Sequence, residues 1–252
     1  MMLSRLAVVC AGFAVLWQLL VLATGVPPYI LPGPWQVATT FVHEFGFIFG
    51  HALTTIAEIL SGLVIGCLLG MASAVLMARY APLKQWMLPV MVMSQAVPVF
   101  ALAPLLVLWF GYGMASKVVM AVLIIYFPVT AAFYDGLRRA EPGWLDLART
   151  MGASPGAELR FVRLPAALPA LASGIRVATA VAPIGAVVGE WVGSSAGLGY
   201  LMLHANARMQ VDLMFAALLF LALFAVLLYS LVDAGLRRLT YWQPDTGLGG
   251  QV

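Results

Sequence analysis

Long apolar runs separated by short polar islands set the pattern of this chain. Residues 6–24, 53–77, 87–109, 117–134, 172–192 and 213–236 each approach the roughly 20 apolar residues that carry a helix across a bilayer. Six transmembrane helices are therefore predicted, in an all-α polytopic membrane protein forming one domain over residues 1–252. The first run follows Arg5 as the apolar core of a signal peptide would. However, LATGVPP offers no clear small-x-small cleavage site, so an uncleaved first helix is expected. The loop after it is rich in Pro and Gly, then turns amphipathic near Gln36–Phe49, which predicts a short interfacial helix.

Composition agrees with a bilayer as solvent. The chain has 252 residues, of which 63% are hydrophobic and 9% charged, against about 25% charged in soluble domains. A single aqueous core could not hide that surface. Cys10 and Cys67 lie in apolar runs and suit packing. With the N-terminus inside, eleven of the thirteen Lys and Arg fall on the inner side and only Lys117 and Arg208 outside. The positive-inside rule then predicts that both termini are cytoplasmic.

It also places in the cytoplasm the longest polar island, Asp135–Arg163, which holds Arg138, Arg139, Arg149, Arg160 and Arg163. Pro142 suits the first position of a helix, where its missing N–H has no partner to lose. Gly143–Met151 then reads as helix, and Gly152 supplies the left-handed residue that closes it. Ser154 is a good N-cap for a second helix, with Pro155 and Glu158 in its first turn. That helix is expected to stop before Pro165. Two short helices on a glycine turn, with small Ala148 and Ala153, can enter a groove on another protein. The arginines would equally favour anionic lipid headgroups. Two turns of helix tethered at both ends to the membrane could hardly reach a major groove, which argues against nucleic acid.

Asp146-Leu147-Ala148, three residues, Gly152, nine residues and Val162-Arg163-Leu164-Pro165 resemble the EAA loop of ABC-importer permeases. Both spacings match, with Asp for Glu, Leu for the first Ala and Val for Ile. Ala96–Lys117 and Gly189–Met202 resemble segments of the subfamily that imports nitrate, sulfonates, taurine and thiamine-precursor pyrimidines. The resemblance implies a type I ABC-importer permease fold with a coupling loop over 135–170. Asp146, Ala148, Gly152 and Ala153 would meet the ATPase, and Leu164-Pro165 would lead back into the membrane. It implies a non-catalytic inner-membrane subunit working with a second copy of itself, a cytoplasmic ABC ATPase dimer and an external substrate-binding protein. ATP and Mg would sit on the ATPase, and this chain would carry no cofactor. The cargo it suggests is a hydroxymethylpyrimidine-type thiamine precursor, with sulfonate, taurine or nitrate as the alternative.

Within the membrane part, Ser94, Gln95, Pro98 and Pro104 mark the third run. Proline kinks a membrane helix where a cavity or neighbour satisfies the freed backbone. Lining of a translocation path and a purely structural kink are both open there. Glu190 suits a path or gate, whereas Glu58 is expected to reach the outer interface. His43, Glu44, His51, His204 and Asp212 read as solvated loop residues with no metal site implied. The thirteen methionines read as packing. No G-x-x-x-x-G-K-[ST] phosphate loop is present, so energy must come from a partner. An ion-driven secondary transporter would need buried ionisable relays or repeated halves, and a membrane enzyme a convergent catalytic set. None of these is legible.

Overall fold

The computed structural model describes residues 2–242, apart from the side chains of residues 2–7, 9, 10 and 81. Arg5 and Cys10 therefore lie outside the described side chains. Every regular element among the described residues is helical: α1 (Met2–Thr24), α2 (Pro34–His43), α3 (Phe45–Arg79), α4 (Ala81–Ala96), α5 (Val99–Phe110), α6 (Met114–Arg138), α7 (Pro142–Thr150), α8 (Pro155–Glu158), α9 (Leu164–Gly193), α10 (Leu198–Ala207) and α11 (Val211–Leu239).

Helices α6 and α9 form the centre, with α3 against the other side of α6. Lipid tails are as apolar as leucine, so close van der Waals packing must hold such helices together. The sequence supplies it through small residues at four-residue spacing. Gly62, Gly66 and Gly70 of α3 lie on Ala121, Ile125 and Val129 of α6, and Gly185 of α9 also lies against Ala121. A Cβ at Gly62 or Gly185 would run into Ala121. Ala121, Ile125 and Val129 are fully buried. Arg176 of α9 donates to Asp233 of α11 at 2.6 Å, fastening the last helix to the centre.

Four helical segments are long and apolar enough to cross a membrane: Phe45–Arg79, Met114–Arg138, Pro155–Gly193 and Val211–Leu239. The predicted third span, 87–109, is not one continuous helix. It is a pair, α4 and α5, bent by 103°. The break falls at Val97-Pro98, with Val97 extended as the residue before proline prefers. Pro89 and Pro104 stay inside their helices, so Pro98 alone accounts for the kink. In the first span the apolar stretch of the described residues is Ala11–Thr24.

A short helix, α2, does form near Gln36, and Phe45–Phe49 instead begin the 35-residue α3. The second helix of the polar island does not stop before Pro165. Pro165 has no N–H, and its ring would strike the carbonyl four residues back in a regular α-helix. A π-helical turn over Leu159–Arg163 widens the ladder just ahead of it, and the Leu164 N–H bonds to the Leu159 carbonyl. Helix α8, the π turn and α9 thereby form one 39-residue rod, Pro155–Gly193.

Candidate functional site

The polar island folds as its punctuation dictates. Pro142 opens α7. Gly152 closes it at φ +80, with Gly152 N–H on Arg149 O at 2.9 Å and Ala153 N–H on Ala148 O at 3.0 Å. Ser154 Oγ then accepts the Ala157 N–H at 3.2 Å and caps α8. Gly152 and Asp146 are exposed, Ala148 and Ala153 half-buried, and Leu164 and Pro165 lie where the rod begins its run.

Glu158 holds this hairpin in place. Its carboxylate is buried, accepting from Arg163 Nε at 2.8 Å and Arg149 Nε at 3.2 Å. Arg149 also reaches Asp146 at 3.4 Å, and Arg163 reaches the Leu137 carbonyl at 3.4 Å. Charged hydrogen bonds of this kind are the stronger ones. They tie α7, the rod and the end of α6 into one unit. The sequence showed Glu158 only as a favourable first-turn acid; the clamp depends on the turn that brings Arg149 back to it.

With Leu145 turned inward, α7 presents Trp144, Leu147 and Met151 outward, at 54%, 61% and 80% exposure. Together with Phe161 and Pro165 they line an open groove of about 750 Å³ between α7 and the start of the rod. Arg139 and Glu141 lie at the edge of this groove.

A second cluster lies at the far end of the rod. Glu190 is 1% exposed. It accepts from Thr55 Oγ1 at 2.6 Å and from the Gly199 N–H at the start of α10. Thr55 in turn accepts the Leu198 N–H at 2.7 Å, and His51 Nδ1 accepts the Gly197 N–H at 3.2 Å. Helix α10 has no side-chain cap of its own; side chains of α3 and α9 satisfy its first N–H groups instead.

Glu58 does not reach an interface. It is fully buried, its carboxyl within hydrogen-bonding reach of the Glu190 carboxyl and 3.9 Å from Lys117 Nζ. Lys117 donates to the Tyr112 and Gly113 carbonyls at 2.9 and 3.1 Å and packs its stem on Gly189. The chain therefore does contain a buried ionisable cluster, which sequence reading missed. Thr55 and Glu58 share one helix face, but their partners Lys117 and Glu190 lie far along the chain.

Ser94, Gln95 and Pro98 sit together at the α4–α5 break, exposed on the surface of the chain, whereas Glu190 is buried. Ser94 Oγ bonds back to Met91 O at 2.7 Å. His51 is not a loop residue: it lies within α3, its ring against Phe47 at 4.9 Å and Tyr200 at 5.9 Å. His204 also packs on Tyr200, at 4.1 Å. Asp212 accepts from Thr40 at 2.9 Å, linking α2 to α11. Among the described residues no group of three or more His, Cys, Asp or Glu could hold a metal ion.

Comparison with known proteins adds the following. Residues 62–241 match the family described as binding-protein-dependent transport system inner membrane component. A probable ABC transporter permease protein of Haemophilus influenzae is 58% identical over 88% of this chain and 91% of its own length. The riboflavin transport system permease RibX of Chloroflexus aurantiacus is 37% identical, over 91% of this chain and 86% of its own length. The formylaminopyrimidine transport permease ThiX of Halalkalibacterium halodurans is 35% identical, over 91% and 92%. Among solved structures, an inward-facing MetNI methionine ABC transporter chain superimposes with TM-score 0.65 at 20% identity, covering 75% of this chain and 94% of that one.

Proposed function

The chain belongs to the binding-protein-dependent transport system inner membrane component family and is a membrane-embedded permease subunit of an ABC importer; from that premise we propose how it works. Two copies, each crossing a bacterial inner membrane six times with both termini in the cytoplasm, associate with a cytoplasmic ABC ATPase dimer and receive cargo from an external binding protein. This chain catalyses nothing itself, and the ATPase holds ATP and Mg.

The observation that carries the reading is the exposed apolar stripe Trp144-Leu147-Met151, on a helix held by Glu158 and closed by Gly152. Such a stripe fits an apolar cleft on the ATPase, with Asp146, Ala148, Gly152 and Ala153 at the contact and Leu164-Pro165 behind it. ATP binding closes the ATPase pair, draws the two α7 helices together and turns the cavity outward. A shift of this kind requires contacts that differ between the two states, and the α7 surface is where they would be made. A cysteine at Ala148 or Ala153 is expected to cross-link to the ATPase in an ATP-sensitive way. A cross-link indifferent to ATP, or none, overturns the mechanism.

We place the path along the α4–α5 break, with Ser94, Gln95 and Pro98 on it. A broken helix leaves backbone groups that lipid cannot satisfy, so this face needs water or protein against it. Glu190 closes the outer end through the helices it holds. For cargo, the relative named for formylaminopyrimidine favours a small aminopyrimidine-type thiamine precursor. The relative named for riboflavin makes a larger nitrogen heterocycle the second reading, ahead of sulfonate, taurine or nitrate. Competition of unlabelled pyrimidines, flavins and sulfonates against uptake by the assembled transporter separates these, and inhibition by sulfonates alone would overturn the heterocycle reading.

A further inference from the structure

Each end of the Pro155–Gly193 rod is fastened by one buried glutamate. Near its first turn Glu158 binds Arg149 of α7 and Arg163. Near its last turn Glu190 binds Thr55 of α3 and the N–H groups that open α10. The two glutamates are separated by 32 residues, about 48 Å at the helical rise of 1.5 Å per residue. Between them the chain is helical throughout and packs along α6 through Gly174, Gly185 and Gly189. Pro169 and Pro183 lie inside the rod, and this packing on α6 is what holds it along its length.

We propose that the rod transmits motion of α7 directly to α10, and that Thr55 and Glu190 are the positioning residues that make the far connection. The proposal rests on the permease reading above. Three observations carry it. Helix α10 has no cap within its own sequence, so its first turn depends on α3 and α9. The Thr55 hydroxyl serves both partners, donating to Glu190 at 2.6 Å and accepting from Leu198 at 2.7 Å. Displacement of α9 against α3 therefore cannot occur without disturbing the start of α10. Gly197, in the left-handed region at φ +109, lies directly against the Glu190 carboxyl, which leaves the link no slack.

The test places spin labels at Val42 of α2 and Leu203 of α10, both exposed. The chain's own cysteines are replaced, and it is assembled with its co-purifying ATPase. Trapping with ATP and vanadate is expected to shift the distance between the labels in the wild type. Thr55→Val should lose the shift, Thr55→Ser should restore it, and Glu190→Gln should lose it as well. The cross-link at Ala148 should stay ATP-responsive in the Thr55 variants, so that the near end still reports. A shift that survives in both Thr55→Val and Glu190→Gln, or that is absent from the wild type while the Ala148 cross-link responds, overturns the proposal. A wild-type cross-link indifferent to ATP overturns the permease mechanism instead.

Discussion

Glu190 shows how one side chain can decide whether a helix exists where it does. Helix α10 begins at Leu198 behind Gly197, with no residue of its own able to cap it. Glu190 and Thr55, brought from two other helices, take the N–H groups that would otherwise be buried without partners. Gly197 has φ 109 and ψ 163, a region open essentially to glycine alone, so Gly197→Ala should cost about 1–3 kcal/mol from backbone strain. The added Cβ would also meet the Glu190 carboxyl, so thermal unfolding in detergent should fall well below wild type. At the other end of α9, Glu158→Ala removes both arginine bonds. Charged hydrogen bonds contribute about 1.5–3 kcal/mol each, here reduced because the Arg149 side chain is 57% exposed. The expected outcome is faster proteolysis between Arg139 and Arg163 with the membrane part intact, measured by limited digestion.

Helix positions were largely legible, because apolar length is a physical requirement of the bilayer. The predicted 53–77, 117–134 and 213–236 all fall inside longer observed helices. Shape was less legible. Hydropathy reads 87–109 as one span since Val97 is as apolar as its neighbours, yet the ring of Pro98 drives Val97 out of the α region. Pro165 shows the reverse: read as a stop, it is accommodated because a π turn removes the need for its N–H. What holds the helices together is the small-residue ridge, and this gives a third prediction. Gly66→Leu places a side chain against Val122 and against Ile125, which is fully buried and has nowhere to move. Overpacking of this kind costs about 1–3 kcal/mol or more. The variant should show reduced assembly on size-exclusion chromatography, while Gly50→Leu, which meets open space, should not.

Taken as one body, the chain has a helix with an exposed apolar stripe at one end and a buried polar knot at the other. The fold of the first was legible from Pro142 to Ser154, because local punctuation encodes a local fold. The knot was not, since Thr55, Glu58, Lys117 and Glu190 meet only after three helices have packed. Leu147→Asp should abolish co-purification of the ATPase, read by pull-down, while leaving thermal stability unchanged, since Leu147 is 61% exposed. The rod between the two ends has a further consequence, in phase rather than in length. A helix advances about 100° per residue, so inserting or deleting one residue beyond the π turn, between Leu164 and Glu190, rotates one glutamate away from its partners while the other stays seated. Such a frame error cannot be absorbed by a loop, because the rod has none. The loop Gly25–Gly33 should accept single-residue changes freely, and the interval from Leu164 to Glu190 should accept none.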